Sequence, residues 1–153
     1  HFQQGFRARG AAMSNAESLL KAAREAAQNA YCPYSNFHVG AAVRCKDGTV
    51  VSGCNVENAS FGLTICAERV ALFRCIAQGL QPLEMAVSCV DALEDAPARS
   101  RMPCGACRQV MQELMSSRAT IHIDGVGTRQ LTQLLPDAFS LSNKHICREG
   151  QHS

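Results

Sequence analysis

Apolar side chains recur at helical spacing near the start of the chain. Between Leu19 and Ala30 they lie three or four residues apart, which predicts an amphipathic helix. Ser14, followed three residues later by Glu17, forms the pattern of a capping box, so we expect the helix to begin there. Pro33 should end it, because proline has no backbone N–H to donate within a helix.

The next segment changes to the alternating pattern of strands. Every second residue of 37–45 falls on one apolar face, and the Lys-Asp-Gly sequence at 46–48 indicates a hairpin turn. The returning strand should cover 49–57. Because side chains alternate along a strand, Asn55 and Glu57 should point to the same face, where they can reach one ligand together. The alternative is that they form the solvated end of the strand.

The rest of the chain shows alternating helical and strand patterns. The apolar run at 85–90 has no polar alternation, which favours a central strand covered on both faces. The polar stretch 91–101 is typical of a surface loop. This order indicates an α/β protein with one mixed sheet and helices on both faces. The further predicted helices cover 66–78, 104–115 and 131–135, and the further strands cover 120–123 and 126–129.

Composition narrows the class of protein. The apolar share is 46% and the charged share 18%, which are ordinary values for a globular domain. No run approaches about 18 apolar residues, so no membrane span is expected. A formal net charge of +2, with scattered Lys and Arg, does not indicate nucleic acid as a partner. Nine cysteines without regular spacing favour a reducing, cytoplasmic compartment.

Three thiols and one carboxylate stand near predicted helix starts. Cys104 and Cys107 have the i, i+3 spacing with which one turn can hold a metal ion, and Cys66 opens another helix. Helix N-termini favour the thiolate form because the backbone dipole stabilises negative charge there. Three protein ligands leave one position open for water, which is typical of catalytic zinc. Glu68 is then free to accept and return a proton.

Other interpretations of these cysteines remain open. The Cys-x-x-Cys pair is also the pattern of a redox site. A structural zinc site closed by Cys54 or Cys89 as fourth ligand fits the same spacing. The other cysteines are better explained as core or surface thiols than as ligands; they are Cys32, Cys45, Cys75 and Cys147.

Several segments resemble the small zinc-dependent cytidine deaminases. The metal motifs are Cys-Ala-Glu-Arg at 66–69 and Pro-Cys-Gly-Ala-Cys-Arg-Gln-Val at 103–110. Many deaminases share those motifs, whereas Gly-Cys-Asn-Val-Glu-Asn at 53–58 is more specific for nucleosides. Tyr-Cys-Pro-Tyr-Ser-Asn-Phe at 31–37 and Leu-Leu-Pro-Asp-Ala-Phe at 134–139 also match. The resemblance covers nearly all of the chain between Ser14 and Phe139.

The resemblance implies a fold, an activity and an assembly. It implies a three-layer α/β/α sandwich with a central mixed sheet, and a homotetramer with active sites near the subunit interfaces. It implies Zn²⁺-dependent hydrolytic deamination of the nucleosides cytidine and deoxycytidine to uridine and deoxyuridine, a step of pyrimidine salvage. We interpret 13–153 as one such catalytic domain, with Met13 as the native start, and 1–12 as a remnant outside it.

The resemblance also implies residue roles. Cys66, Cys104 and Cys107 would bind zinc, and Glu68 would move protons without binding the metal. Asn55 and Glu57 would hold the ribose hydroxyls. The remaining substrate contacts would be Phe37 in the pocket wall, the Ala67 backbone N–H facing the pyrimidine, and Phe139 closing the site.

Arg69 is a candidate for tuning the metal. Three thiolates outweigh the charge of Zn²⁺, and this excess opposes ionisation of a bound water. Arg69 lies three residues after Cys66, so on a helix the two side chains share a face. A guanidinium donating to a thiolate would withdraw charge from the metal. The alternative is an ordinary surface charge.

The chain departs from the family pattern at three places. Phe61 stands where relatives often carry Tyr, the segment between Ile123 and Leu131 is short for a last strand, and the tail after Leu141 has no match. Rival functions are a deaminase of blasticidin type or of another aminated heterocycle, a nucleic-acid editing deaminase, and a non-catalytic zinc module.

Overall fold

The structure, a computed structural model, describes residues 13–141. Within that range none of the helices is long and apolar enough to cross a membrane. The elements in chain order are α1 (Asn15–Ala27), β1 (Val39–Cys45), β2 (Val50–Cys54), α2 (Ala67–Ala77), β3 (Pro82–Cys89), α3 (Gly105–Leu114), β4 (Thr120–Ile123), β5 (Gly127–Gln130) and α4 (Leu131–Leu134). Short 3₁₀ turns lie at Phe61–Leu63 and Ala98–Ser100.

The first helix begins as predicted and ends earlier than predicted. Ser14 is the N-cap, and its hydroxyl accepts a hydrogen bond from the Glu17 backbone N–H at 3.2 Å. The helix stops at Ala27, well before Pro33, so the prediction that proline ends it is wrong. After Ala27 the backbone bonds tighten to i→i−3, from Asn29 to Ala26 and from Ala30 to Ala27, both at 3.1 Å, and the Tyr31 N–H then donates to the Asn55 carbonyl at 3.0 Å.

Five strands form one mixed sheet in the order β2-β1-β3-β4-β5. The β3–β4 pair is parallel and the other pairs are antiparallel. The hairpin between β1 and β2 and the central position of β3 confirm the sequence predictions. β5 also forms, so the short segment before Leu131 still provides a last strand.

Helices cover the sheet on both faces, which confirms the three-layer architecture. On one face Leu19 and Ala23 of α1 pack against Ala42 and Ala86 of the central strands. On the other face α2 and α3 enclose the main core, which includes Ala41, Val43, Cys45, Leu72, Met85, Val87, Met111 and Ile121. The inner strand β1, which lies between β2 and β3, is therefore apolar on both sides, apart from Arg44.

Two glycines let helices approach the sheet closely. A Cβ at Gly40 would lie 1.8 Å from the Ala23 carbonyl oxygen of α1. A Cβ at Gly53 would lie 2.5 Å from the Ala71 backbone nitrogen of α2. The same Cβ would lie 2.8 Å from the Ala67 carbonyl oxygen, so the first turn of α2, which begins after the N-cap Cys66 and contains Glu68, packs directly against β2.

Candidate active site

The structure brings the three predicted sulfur ligands together at two helix starts. Cys66 is the N-cap of α2, Cys104 is the N-cap of α3, and Cys107 lies in the first turn of α3. Their Sγ atoms all lie within 4.8 Å of one another, with 3.8 Å between Cys66 and Cys104. A hydrogen bond from the Cys107 thiol lowers the pKa of Cys66 to about 5, and Arg69 adds to the effect. The cluster therefore favours an ionised thiolate.

The cluster suits a zinc ion with an open coordination position. Thiolates are soft ligands that zinc accepts in tetrahedral geometry. Among the described residues no fourth His, Cys, Asp or Glu joins the group. Cys54 and Cys89, the two candidates for a closing ligand, lie outside it, and the Cys89 thiol instead donates to the Arg101 carbonyl at 3.9 Å. Cys107 is buried while Cys104 is exposed, so the site is accessible from one side.

Glu68 lies in the first turn of α2 with 5% of its surface exposed. Burial raises the pKa of its carboxyl group to about 7, and the negative charge of Cys66 acts in the same direction. Its own backbone N–H opposes the shift. A carboxyl group with a pKa near neutrality can accept a proton and give it back at physiological pH.

Arg69 turns back toward the cluster. Its Nη2 donates to the Cys66 Sγ at 3.4 Å, and this contact raises the pKa of the guanidinium. Its Nε is buried and has no hydrogen-bond partner among the described residues. The structure thus places a fixed positive charge on a thiolate of the cluster rather than in solvent.

The candidate sugar-binding residues lie just beyond β2 rather than on it. The strand ends at Cys54, so the prediction of a strand through Glu57 is wrong; Val56 forms only isolated bridges, to Tyr31 and Ile65. Asn55 is 8% exposed, and its side chain is fixed by the segment that follows α1. Its Oδ1 accepts from the Val39 backbone N–H at 2.9 Å, and its Nδ2 donates to the Phe37 carbonyl at 2.8 Å.

Glu57 contacts the same segment a few residues earlier. Its Oε1 accepts the backbone N–H groups of Tyr34 and Ser35 at 3.0 and 3.1 Å, and its Oε2 accepts the Ser35 hydroxyl at 2.5 Å. The Ser35 hydroxyl is the main cause of the lowered pKa of Glu57. The carboxylate therefore stays ionised and fixed in orientation. Sequence reasoning missed Ser35, although it lies in the 31–37 motif.

The other predicted contacts differ in their exposure. Ala67 is fully buried at the first position of α2, where backbone N–H groups have no partner within the helix. Phe37 is half-buried. Phe139 is 68% exposed, and its carbonyl accepts a hydrogen bond from the Gln109 side chain at 3.1 Å. Closure of the site by the Phe139 ring remains a prediction.

Arg108, part of the 103–110 motif, fixes the start of α3, although from the sequence alone it could be a plain surface charge of that helix. Its Nε donates to the Pro103 carbonyl and its Nη1 donates to the Leu134 carbonyl, both at 2.8 Å. A cleft of about 510 Å³ adjoins these two hydrogen bonds. The residues that line it include Cys104, Arg108 and Leu134. The two bonds hold the Cys104 turn against the segment after β5.

Comparison with known proteins identifies the family. The sequence profile described as "Cytidine and deoxycytidylate deaminase zinc-binding region" matches residues 13–123. The chain therefore belongs to this family of zinc-binding deaminase domains, and the site described above contains its metal-binding segment.

Relatives match over most of their length. A protein of Halalkalibacterium halodurans named "Cytidine deaminase" is 43% identical over 128 residues, which is 81% of this chain and 93% of that protein. One from Mycobacterium tuberculosis with the same name is 47% identical over 121 residues, or 79% of this chain and 86% of that protein.

A solved structure agrees with the fold. The crystal structure of cytidine deaminase from Burkholderia pseudomallei superposes with a TM-score of 0.72 at 44% identity, and the match covers 83% of this chain and all of that one. The mixed sheet and its helical layers are therefore those of this family.

Proposed function

We propose that this protein is a zinc-dependent cytidine deaminase, which converts cytidine and deoxycytidine to uridine and deoxyuridine with release of ammonia. The observation that carries the proposal is the buried Glu68, which stands beside a group of three cysteine sulfurs without joining it. The named activity of relatives at 43% and 47% identity supports the same substrate class.

Cys66, Cys104 and Cys107 would hold a zinc ion, which would supply Lewis acidity for the activation of a water molecule. Glu68 accepts the proton of the attacking water and donates it to N3 of the pyrimidine as C4 becomes tetrahedral. Glu68 then accepts the proton of the new C4 hydroxyl and passes it to the departing amino group, so that the C4–N bond breaks, ammonia leaves and the C4 carbonyl of uridine forms. One carboxyl group acts as base and as acid, which its burial and its pKa of about 7 favour.

Substrate binding follows from the hydrogen-bonding groups that remain free. Asn55 uses one N–H and one lone pair on the backbone, so a second N–H and lone pair remain for a ribose hydroxyl. The Oε2 of Glu57, whose one donor among the described residues is the Ser35 hydroxyl, can accept another hydroxyl proton. Phe37 forms the wall of the pocket, the Ala67 N–H faces the pyrimidine, and Phe139 closes the site.

We further propose a homotetramer. The side of α2 away from the sheet carries Phe73 and Ile76, which are 47% and 48% exposed. The loop before α2 adds Phe61 and Leu63, which are 73% and 64% exposed. A helix that is apolar on its outer side is typical of a buried interface. Light scattering should give a tetramer mass, and replacing both Phe73 and Ile76 with Glu should lower it.

A cytoplasmic role in pyrimidine salvage fits the cysteine chemistry. The eight cysteines of the described range are free thiols, which suits a reducing compartment. The single catalytic domain is proposed to cover 13–153; the segment after Leu141 and Cys147 within it lie outside the described residues.

A substrate panel tests the proposed function. The zinc-loaded protein should deaminate cytidine and deoxycytidine, with little turnover of blasticidin S, cytosine or single-stranded DNA. Turnover of blasticidin S alone would assign the protein to the other deaminase type. Deamination of DNA together with a gel shift would indicate an editing enzyme, and zinc binding without turnover of any compound would leave a non-catalytic module.

A further inference from the structure

Two side chains, Asn55 and Asp91, hydrogen-bond the segment 37–39 from opposite sides of β1. On the β2 side Asn55 bonds the Phe37 carbonyl and the Val39 backbone N–H. On the β3 side Asp91 accepts the His38 backbone N–H at 2.7 Å. These contacts alternate along the backbone, so each residue of the segment is bonded to one neighbour or the other.

Asp91 makes a second bond to the same residue. Its Oδ2 also lies 2.7 Å from the His38 Nδ1, so one carboxylate oxygen contacts both the backbone and the ring of His38. The Val90 backbone N–H donates in return to the His38 carbonyl at 3.2 Å. Together they extend the β1–β3 pairing one step past Val39 and Cys89, where the ladder ends.

Asp91 and His38 lie next to residues that are proposed to contact the nucleoside, namely Phe37 and Asn55. The Phe37 backbone N–H also donates to the Ser35 hydroxyl at 3.0 Å, and that hydroxyl donates to Glu57. One continuous set of hydrogen bonds thus runs from Asp91 through the segment 37–39 to the two polar groups that would hold the ribose. Nothing else on the β3 side bonds the His38 N–H among the described residues.

We infer that Asp91 and His38 form a positioning pair. From the β3 side of the segment 37–39, the pair fixes the backbone that carries the proposed nucleoside contacts. The pair touches neither the reacting atoms nor the thiol cluster in the described structure. It fixes the backbone of 37–39, and through that backbone it fixes the Phe37 wall and the amide of Asn55. This inference rests on the proposed function, because it assigns a role in cytidine binding.

The expected result is a selective loss of affinity. With zinc-loaded protein, Asp91→Ala should raise KM for cytidine about tenfold, as expected when a hydrogen-bonded clamp is lost, while kcat changes by less than about twofold. Zinc content should stay at that of the unmodified protein. His38→Ala should raise KM less, because the backbone N–H still reaches Asp91.

Two further variants separate positioning from general stability. Asp91→Asn keeps an oxygen that can accept both His38 bonds, so it should restore most of the lost affinity. Asp95→Ala removes an exposed carboxylate from the same loop and should leave KM unchanged. The double variant His38→Ala with Asp91→Ala should match Asp91→Ala alone, because the two side chains act as one unit.

Three results would overturn the inference. An unchanged KM in Asp91→Ala, with the unmodified protein active on cytidine, would refute the positioning role and leave the proposed function intact. Parallel losses of kcat, zinc and thermal stability in both Asp91→Ala and Asp91→Asn would mean that the carboxylate only supports the fold. If the unmodified protein does not deaminate cytidine, the proposed function fails and the inference fails with it.

Discussion

The Nη2 of Arg69 donates to the Sγ of Cys66 at 3.4 Å, across one turn of α2. The contact links a fixed positive charge in the first turn of this helix to a sulfur of the candidate metal cluster. Its chemical consequence is that the thiolate gives less negative charge to a bound metal.

Replacing Arg69 should therefore affect the chemical step more than binding. Arg69→Gln should lower kcat by about tenfold, the lower range for loss of such an outer contact, with KM nearly unchanged. Arg69→Lys keeps the positive charge, so its kcat should lie between that of the unmodified protein and that of Arg69→Gln. Arg74→Gln removes another arginine of α2, one that donates to the Ser52 carbonyl, and serves as the control. An unchanged kcat in Arg69→Gln would show that the contact between Arg69 and Cys66 does not tune the metal.

The thiol cluster predicts which cysteines hold zinc. Metal analysis of the purified protein should give about one zinc per chain, as expected for three protein ligands. Cys104→Ala should lose the metal, whereas Cys89→Ser should keep it, since Cys89 lies outside the cluster. Loss of zinc from Cys89→Ser would indicate a closed structural site, and full occupancy in Cys104→Ala would refute the ligand assignment.

Sequence patterns predicted the elements whose boundaries depend on local signals. β4 occupies the predicted residues Thr120–Ile123, and α2 ends before Gly79, which adopts a left-handed conformation with φ of 71°. Both boundaries depend on residues that are close to them in the sequence. α1 and β2 end earlier than predicted, and beyond their ends Tyr31 and Asn55, distant in sequence, bond to each other. Hydrophobic periodicity contains no information about that contact.

The same difference between local signals and contacts distant in sequence decides which parts of the candidate site the sequence could predict. Cys104 and Cys107 are one turn apart, so their shared ligand geometry can be inferred from spacing. The amide contacts of Asn55 and the pairing of Asp91 with His38 join residues 16 to 53 positions apart. Asp91 was assigned to a plain surface loop, because only the assembled sheet shows which strand end it faces.

Asn55 should discriminate by the sugar of the substrate. Asn55→Ala should lower kcat/KM for cytidine by about a hundredfold, because it removes a hydroxyl contact and loosens Phe37. For the free base cytosine the loss should be much smaller, since there is no ribose to bind. Rates measured on both substrates give the ratio, and equal losses would contradict ribose binding by Asn55.

Asp124 should make stability depend on pH in the acidic range. Arg24 donates two hydrogen bonds to its carboxylate, at 2.8 and 2.7 Å, and this lowers the pKa of Asp124. Because the folded pKa lies below the unfolded one, the stabilisation is present at neutral pH and is lost as the pH falls through the folded pKa. Asp124→Asn should lower the free energy of unfolding at pH 7 by on the order of 1 kcal/mol.

The difference between the unmodified protein and Asp124→Asn should shrink toward zero as the pH falls below the folded pKa. Urea unfolding at a series of pH values measures it. Asp95→Asn, at an exposed site in another loop, is the control and should show no such trend. A difference that stays constant with pH would show that the Arg24 pair contributes nothing through ionisation.

The most direct test of the account is the deamination of cytidine by the Glu68→Gln variant. The amide has nearly the same size as the carboxyl group but cannot move protons, so zinc content and fold should be preserved. The unmodified protein should release uridine and ammonia in equal amounts, and the variant should be at least about 10³-fold slower. Glu25→Gln, on the exposed side of α1, should be unaffected. Near-normal turnover in a zinc-loaded Glu68→Gln variant would contradict the assignment of Glu68 as the proton-transferring group.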